Sequence, residues 1–159
     1  MGGSSGGGPT RIGNVQSLIE QAKAELRRKS TRNVFISFAM EDLNEVNLLR
    51  GQARNENSPL DFNDWSVSEP YNSDRAEYIK QRISERILQS SVTVVYVSEA
   101  SAMSEWVAWE IERSLELGKR VIATYKGVDR PSVQFDALQR RNVRWVAWRD
   151  LANEIERLE

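Results

Sequence analysis

The run Ser104-Glu105-Trp106-Val107-Ala108-Trp109-Glu110 holds the residue best placed to do chemistry. It follows the apolar segment Val92 to Val97 and reads as the opening of a helix. Glu110 therefore lies within two turns of a helix N-terminus, beside the carboxyl end of a strand. In open α/β sheets, ligands bind in the crevice outside those strand ends. At about 100° per residue, Val107, Ala108, Ile111 and Leu115 form the face that meets a sheet, and Trp106, Glu110, Arg113 and Leu117 fall on a separate flanking stripe. Two readings of Glu110 follow. It is either a solvated helix glutamate paired at i+3 with Arg113, or a carboxylate facing a crevice. Trp106 and Trp109 favour the second, because large aromatics off the core face cover a pocket or a partner.

Composition narrows the chemistry. The 159 residues are one domain's worth, long enough to bury a core. With 22 Lys plus Arg against 23 Asp plus Glu, the net charge of −1 offers no electrostatic grip on nucleic acid or an acidic membrane surface. Cysteine and histidine are both absent. That excludes disulfides, a zinc site of the Cys/His kind, and Cys–His or Ser–His catalytic pairs. Acid–base chemistry must come from carboxylates, Lys, Tyr or water. No apolar run approaches a membrane span and no signal peptide is visible, so the expectation is a soluble cytoplasmic protein without a metal.

The elements that must position Glu110 begin after a Gly/Ser-rich leader, residues 1–10, that is either native or a cloning remnant. Residues 11–30 contain an amphipathic helix, Ile12 to Arg28, with Val15, Leu18, Ile19, Ala22 and Leu26 at helical spacing. It either packs on its own domain or mediates self-association. Residues 33–159 alternate strands and helices. Val34 to Phe38, Val92 to Val97 and Val121 to Tyr125 are near-continuous apolar runs, suited to strands buried on both faces. Val143 to Val146 is shorter, and Leu60 to Phe62 is half polar, as an edge strand would be. Helices are expected over Asn44 to Arg54, Asp74 to Leu88 with Asp74 and Glu77 as cap and partner, and Glu105 to Leu117, stopped by Gly118. A short helix over Pro131 to Arg140 and another over Asp150 to Leu158 complete the set. This alternation calls for a parallel sheet with helices on both faces.

The loop after the first strand lacks the glycines of a dinucleotide fingerprint, and no P-loop lysine motif is present. Hydride transfer and nucleotide-triphosphatase chemistry are therefore disfavoured. The loop Asn63 to Pro70 carries Trp65 among turn formers. It either lids a pocket and stacks on a flat ring or is an ordinary surface connection.

Phe35-Ile36-Ser37-Phe38-Ala39-Met40-Glu41-Asp42 resembles the first strand and loop of TIR domains. Ser104 to Ile111 resembles the TIR helix in which a Trp precedes a catalytic Glu by four residues. Phe62-Asn63-Asp64-Trp65-Ser66 and Leu117-Gly118-Lys119-Arg120-Val121-Ile122 are similar to one branch, the bacterial TIR-like proteins of Thoeris-type antiphage defence. The resemblance covers roughly Asn33 to Leu158. It implies a flavodoxin-like three-layer α/β sandwich with five parallel strands in the order 2-1-3-4-5. It further implies cleavage of the nicotinamide–ribose bond of NAD+, by hydrolysis or cyclisation, with NAD+ as substrate and no added cofactor. Carried over by position, Glu110 is the catalytic carboxylate, Phe38, Ala39 and Asp42 line the first-strand loop, and Trp65, Ser66 and Trp106 complete the substrate site. The same resemblance implies self-association and leaves two alternatives in view: a non-catalytic TIR-like assembly module, and a nucleoside-processing enzyme of the deoxyribosyltransferase type.

Overall fold

The computed structural model describes residues 15–23, 32–56, 58–64, 69–139 and 143–157. It divides into two compact units, Met1–Thr31 and Arg32–Glu159. In the first, residues 15–23 are helical (α1), within the expected span of residues 12–28.

The second unit is built on a five-stranded sheet. Its strands are β1 (Arg32–Ser37), β2 (Leu60–Asn63), β3 (Val92–Tyr96), β4 (Arg120–Tyr125) and β5 (Arg144–Ala147). The order is β2-β1-β3-β4-β5 and every pairing is parallel. The near-continuous apolar runs became the three central strands. β3 is buried throughout, whereas the edge strands β2 and β5 are only partly so, because an edge strand lies against helices over part of its width.

Alternation along the strands divides two helical layers. Val34 and Ile36 of β1 face α2 (Leu43–Asn55) and α7 (Leu151–Arg157), packing with Val46, Leu49, Leu151 and Ile155. Phe35 faces the other way, against Ile79, Ile83 and Ile87 of α3 (Ala76–Gln89) and against Trp106 and Trp109 of α5 (Glu105–Glu116). Ser37, two residues on, points to the same side. Val95, Ala123, Val107, Ile111 and the short helix α6 (Asp136–Gln139) extend that layer.

Several boundaries differ from the sequence expectations, each for a local reason. A five-residue helix, α4 (Glu99–Met103), precedes α5 where no helix was expected. Ser98 and Ser101 form a reciprocal capping box around it, Ser98 Oγ accepting from Ser101 N at 3.0 Å and Ser98 N donating to Ser101 Oγ at 2.8 Å. These two serines are the start signal. Asp74 does not cap α3, which starts at Ala76 with Arg75 at the N-cap. The turn before it supplies the acceptor instead, with Ala76 N donating to Ser73 O at 3.1 Å. The expected helix from Pro131 shrinks to Asp136–Gln139, because buried Phe135 and half-buried Val133 are drawn against the α5 layer first.

Candidate active site

α5 positions the carboxylate. Ser104 caps its N-terminus, accepting from Val107 N at 3.2 Å. At the other end Gly118 adopts φ +75°. Gly118 N then bonds Leu115 O at 3.0 Å and Lys119 N bonds Ser114 O at 2.9 Å, the paired closure of a Schellman stop. The helix is thus fixed at both ends. Its buried face is Val107, Glu110, Ile111 and Ser114, which corrects the expected face of Val107, Ala108, Ile111 and Leu115. Ala108 and Leu115 are only half-buried. The helix is turned so that a glutamate and a serine meet the sheet, because the sheet presents hydroxyls to receive them.

Glu110 is 4 % exposed, so the solvated reading does not hold. Arg113 turns elsewhere, donating to Ser84 Oγ at 3.0 Å and to Glu116 at 3.0 Å. Ser37 Oγ, at the end of β1, donates to Glu110 Oε1 at 2.8 Å. Behind it, Ser114 Oγ donates to Glu110 O at 2.7 Å, which leaves Thr93 Oγ1 of β3 as the donor in its 2.8 Å bond to Ser114 Oγ. Ser37, Thr93 and Ser114 are fully buried, so a polar seam runs between α5 and the strands β1 and β3.

Burial pushes the Glu110 carboxyl up to about 8, the Ser37 hydrogen bond opposes that rise, and the negative charge of Asp64 adds to it. Asp64 follows β2 and is ion-paired with Arg50 Nη1 at 2.6 Å, while Arg50 Nη2 donates to Phe62 O at 3.2 Å. Near neutrality the carboxyl of the ligand-free protein is therefore mostly protonated.

The other predicted positions are divided between the two helical layers and the loops at the strand ends. Trp106 is half-buried on the flank of α5, and its Nε1 donates to Glu69 O at 2.8 Å. Tyr71 meets its ring edge-on at 5.0 Å, and Lys80 lies 4.4 Å over Tyr71 and 5.7 Å over Trp109. Asp42 accepts a hydrogen bond from Ser98 Oγ, which ties the loop after β1 to the loop after β3. Those loops flank the point where the strand order reverses, between β1 and β3. Ala39 is buried in the turn between, whereas Phe38 packs with the α2-side cluster of Ile36, Val46, Leu49 and Tyr96. Trp65 and Ser66 lie outside the described residues. On the α2 side, burial and the charges of Glu45 and Asp42 push the Tyr96 phenol up to about 12. Sequence reasoning assigned no role to Ser37, Thr93, Ser114 or Asp64. The available signal was a hydroxyl within each of two apolar strands and a serine four residues after Glu110.

The family model described as Thoeris protein ThsB, TIR-like domain, matches residues 35–130, a span that contains Ser37, Asp64, Trp106 and Glu110. Among solved structures, the TIR domain of the Toll-related receptor TRR-2 from the lower metazoan Hydra magnipapillata is 19 % identical, with a TM-score of 0.52 over 79 % of this chain and 99 % of that one. The TIR domains of the activated Roq1 resistosome directly recognising the pathogen effector XopQ are 24 % identical at a TM-score of 0.42. That match covers 62 % of this chain and 59 % of the resistosome chain. The CMP N-glycosidase BcmB of Clostridium botulinum is 11 % identical at a TM-score of 0.48, over 79 % of this chain and 99 % of that one. Comparison with curated proteins gives no match. Of the three structures, the Hydra domain is similar enough to establish a shared fold, the flavodoxin-like sandwich described above. No helix among the described residues is long and apolar enough to cross a membrane.

Proposed function

The chain belongs to the Thoeris ThsB TIR-like domain family, and from that membership we propose that it cleaves the nicotinamide–ribose bond of NAD+. Glu110 is the catalytic carboxylate, and the ADP-ribose-type product is a signal in bacterial antiphage defence. The observation that carries the reading is the Glu110 carboxyl itself, buried at the strand ends and held by a hydroxyl from β1. A buried ionisable group with a specific partner, beside the crevice at a topological switch point, is where function concentrates in such sheets.

The chemistry suits these groups. As the glycosidic C–N bond breaks, its electron pair goes to the nicotinamide nitrogen and the cationic ring leaves neutral, so no general acid is required. Positive charge develops on the ribose. A carboxylate that hydrogen-bonds the ribose hydroxyls interacts more strongly with that charge than with the ground state, which lowers the barrier. Water, or a nucleophile within the same molecule, then takes the ribosyl carbon. The work requires ionised Glu110, and the cation carried by the substrate favours that form.

Ala39, Asp42 and Trp106 border the crevice in this scheme and Phe38 supports it from the α2 side. Trp65 and Ser66 are assigned from the family resemblance alone. NAD+ is the substrate, and neither a cofactor nor a metal is invoked. The setting is the cytoplasm, and the partners are further copies of the chain, through TIR-like surfaces or the α1 helix.

The test is incubation of concentrated protein with NAD+, following nicotinamide release. Release that disappears in Glu110→Ala is expected. No release at any protein concentration would return the chain to the class of binding modules. Release unchanged in Glu110→Ala would remove Glu110 from the site, and cleavage of free nucleosides in preference to NAD+ would reassign the substrate. Product mass separates hydrolysis from cyclisation.

A further inference from the structure

We propose that Ser37 is a positioning residue for Glu110: its hydroxyl, donating to the carboxyl, orients it toward the crevice and favours the form that the reaction uses. The kinetic part of this inference rests on the NAD+-cleavage reading; the structural part does not.

Ser37 ends a strand whose preceding residues, Val34, Phe35 and Ile36, are all buried and apolar. An apolar side chain at position 37 would satisfy the same packing. A hydroxyl buried there is costly unless it is hydrogen-bonded, and it is bonded to a residue 73 positions away. Two further contacts make that bond geometrically decisive. Thr93 of β3 donates to Ser114, and Ser114 donates to the Glu110 carbonyl one turn back along α5, so β3 sets the rotation of the helix. With the backbone of Glu110 held by this seam, Ser37 has only the carboxyl end left to place.

The charged groups around Glu110 are otherwise engaged. Asp64, beyond β2, repels a carboxylate and is paired with Arg50 of α2. On α3, Lys80 lies over Tyr71 and Trp109, and Arg86 donates to Asn63. On α5 itself, Arg113 serves Ser84 and Glu116. Among the described residues, Ser37 is the side chain that donates to the carboxyl. A donor of that kind favours the ionised form against burial and against Asp64.

The test compares Ser37→Ala, Ser37→Thr and Ser37→Cys. The Glu110 side-chain carboxyl is followed by carbon NMR through a pH titration and identified by its loss in Glu110→Gln. In Ser37→Ala the midpoint should rise by about one pH unit, the effect of one hydrogen bond to a charged group. Ser37→Thr, which keeps the hydroxyl, should restore it. Ser37→Cys, a weaker donor of similar size, should fall between, and it serves if the alanine variant does not fold. Under the proposed reaction, kcat/KM for nicotinamide release at pH 7 should fall about tenfold in Ser37→Ala, because the ionised fraction of the free enzyme falls tenfold. Val146→Ala, a cavity on the opposite face of the sheet, is the control for lost stability. A midpoint that stays put in Ser37→Ala, or that moves equally in Val146→Ala, overturns the proposal. A midpoint that moves in a protein releasing no nicotinamide overturns the NAD+ reading and leaves the role of Ser37 standing.

Discussion

Replacing Glu110 by Gln changes one atom of a buried side chain, and its effect on stability should depend on pH in a calculable way. The carboxyl titrates near 4.5 in the unfolded chain and near 8 in the folded protein, chiefly because burial disfavours the charged form. Between those values the folded state holds a proton that the unfolded state has lost. Stability therefore falls as pH rises, by about 1.4 kcal/mol per pH unit from this group. The contribution is fully present below about 4.5 and gone above about 8, a total of about 5 kcal/mol. Gln does not titrate, keeps the shape, and still offers Ser37 an oxygen. The variant should match the wild type near pH 4.5 and exceed it progressively toward pH 8.

The assay is urea unfolding of both proteins from pH 4.5 to 9, with free energies from linear extrapolation. Every other titrating group is common to both and cancels in the difference. The difference is large beside the ~5–15 kcal/mol stability of an ordinary domain, so it will be resolved. A difference that is flat across the range would show that Glu110 is not buried against ionisation. One that declines with pH would show that its folded pKa lies below the unfolded one, and the electrostatic account of the site would be wrong.

Three other expectations follow from the same geometry. If the ionised carboxyl is the working form, kcat/KM for nicotinamide release should rise about tenfold per pH unit up to a limit near 8 and then level, since that parameter reports free-enzyme groups; a decline through that pH would assign Glu110 an acid's role instead. Trp106→Phe removes the 2.8 Å bond to Glu69 O but keeps an aromatic edge for Tyr71; urea melts should show a loss of about 1 kcal/mol, and no loss would mean that this contact does not persist in solution. Gly118→Ala places a Cβ where no atom lies within 4 Å, so its cost should be the backbone penalty of φ +75° alone, about 1–2 kcal/mol by the same measurement; an unchanged protein would mean that α5 does not stop in this conformation.

The framework of the fold was legible because burial on two faces writes an unambiguous pattern. Val34 to Ile36, Val92 to Val97 and Val121 to Tyr125 leave polar side chains few places to go, and half-polar Leu60 to Asn63 could only be an edge. The stop at Gly118 was equally plain. Polar residues misled in two ways. Ser98 and Ser101 lie outside every expected helix, yet they cap one. Glu110 read as lying on a flanking stripe beside the face that meets the sheet, and Ser114 was assigned to no face, because helical periodicity weighs a side chain by its own polarity and is blind to what the facing strand offers. Ser37 and Thr93 supply hydroxyls there, and that complementarity joins residues far apart in the chain. A one-dimensional pattern sees each of them as a minor flaw in an apolar run. Only the packed sheet makes them partners.

That misreading bears on how a chain without histidine or cysteine could perform the proposed reaction. A carboxylate is useful against developing positive charge only where water is scarce, since solvent would screen the interaction. Scarcity of water is also what neutralises the carboxyl at rest. The two requirements conflict unless something favours the charged form without admitting solvent. Ser37 does part of this from within the fold, at 2.8 Å and fully buried. Under the proposed reaction a pyridinium substrate would do the rest on arrival, because its cation would act on the same carboxyl through the same dry surroundings. Dependence on the substrate's own charge would then follow from burial: under the proposed reaction the carboxyl, mostly neutral beforehand, would be drawn into its working form by the ring it is about to release. The polar seam serves that arrangement. It lets α5 present an acid to the interior of a sheet without leaving the backbone of that acid free to turn it back toward water.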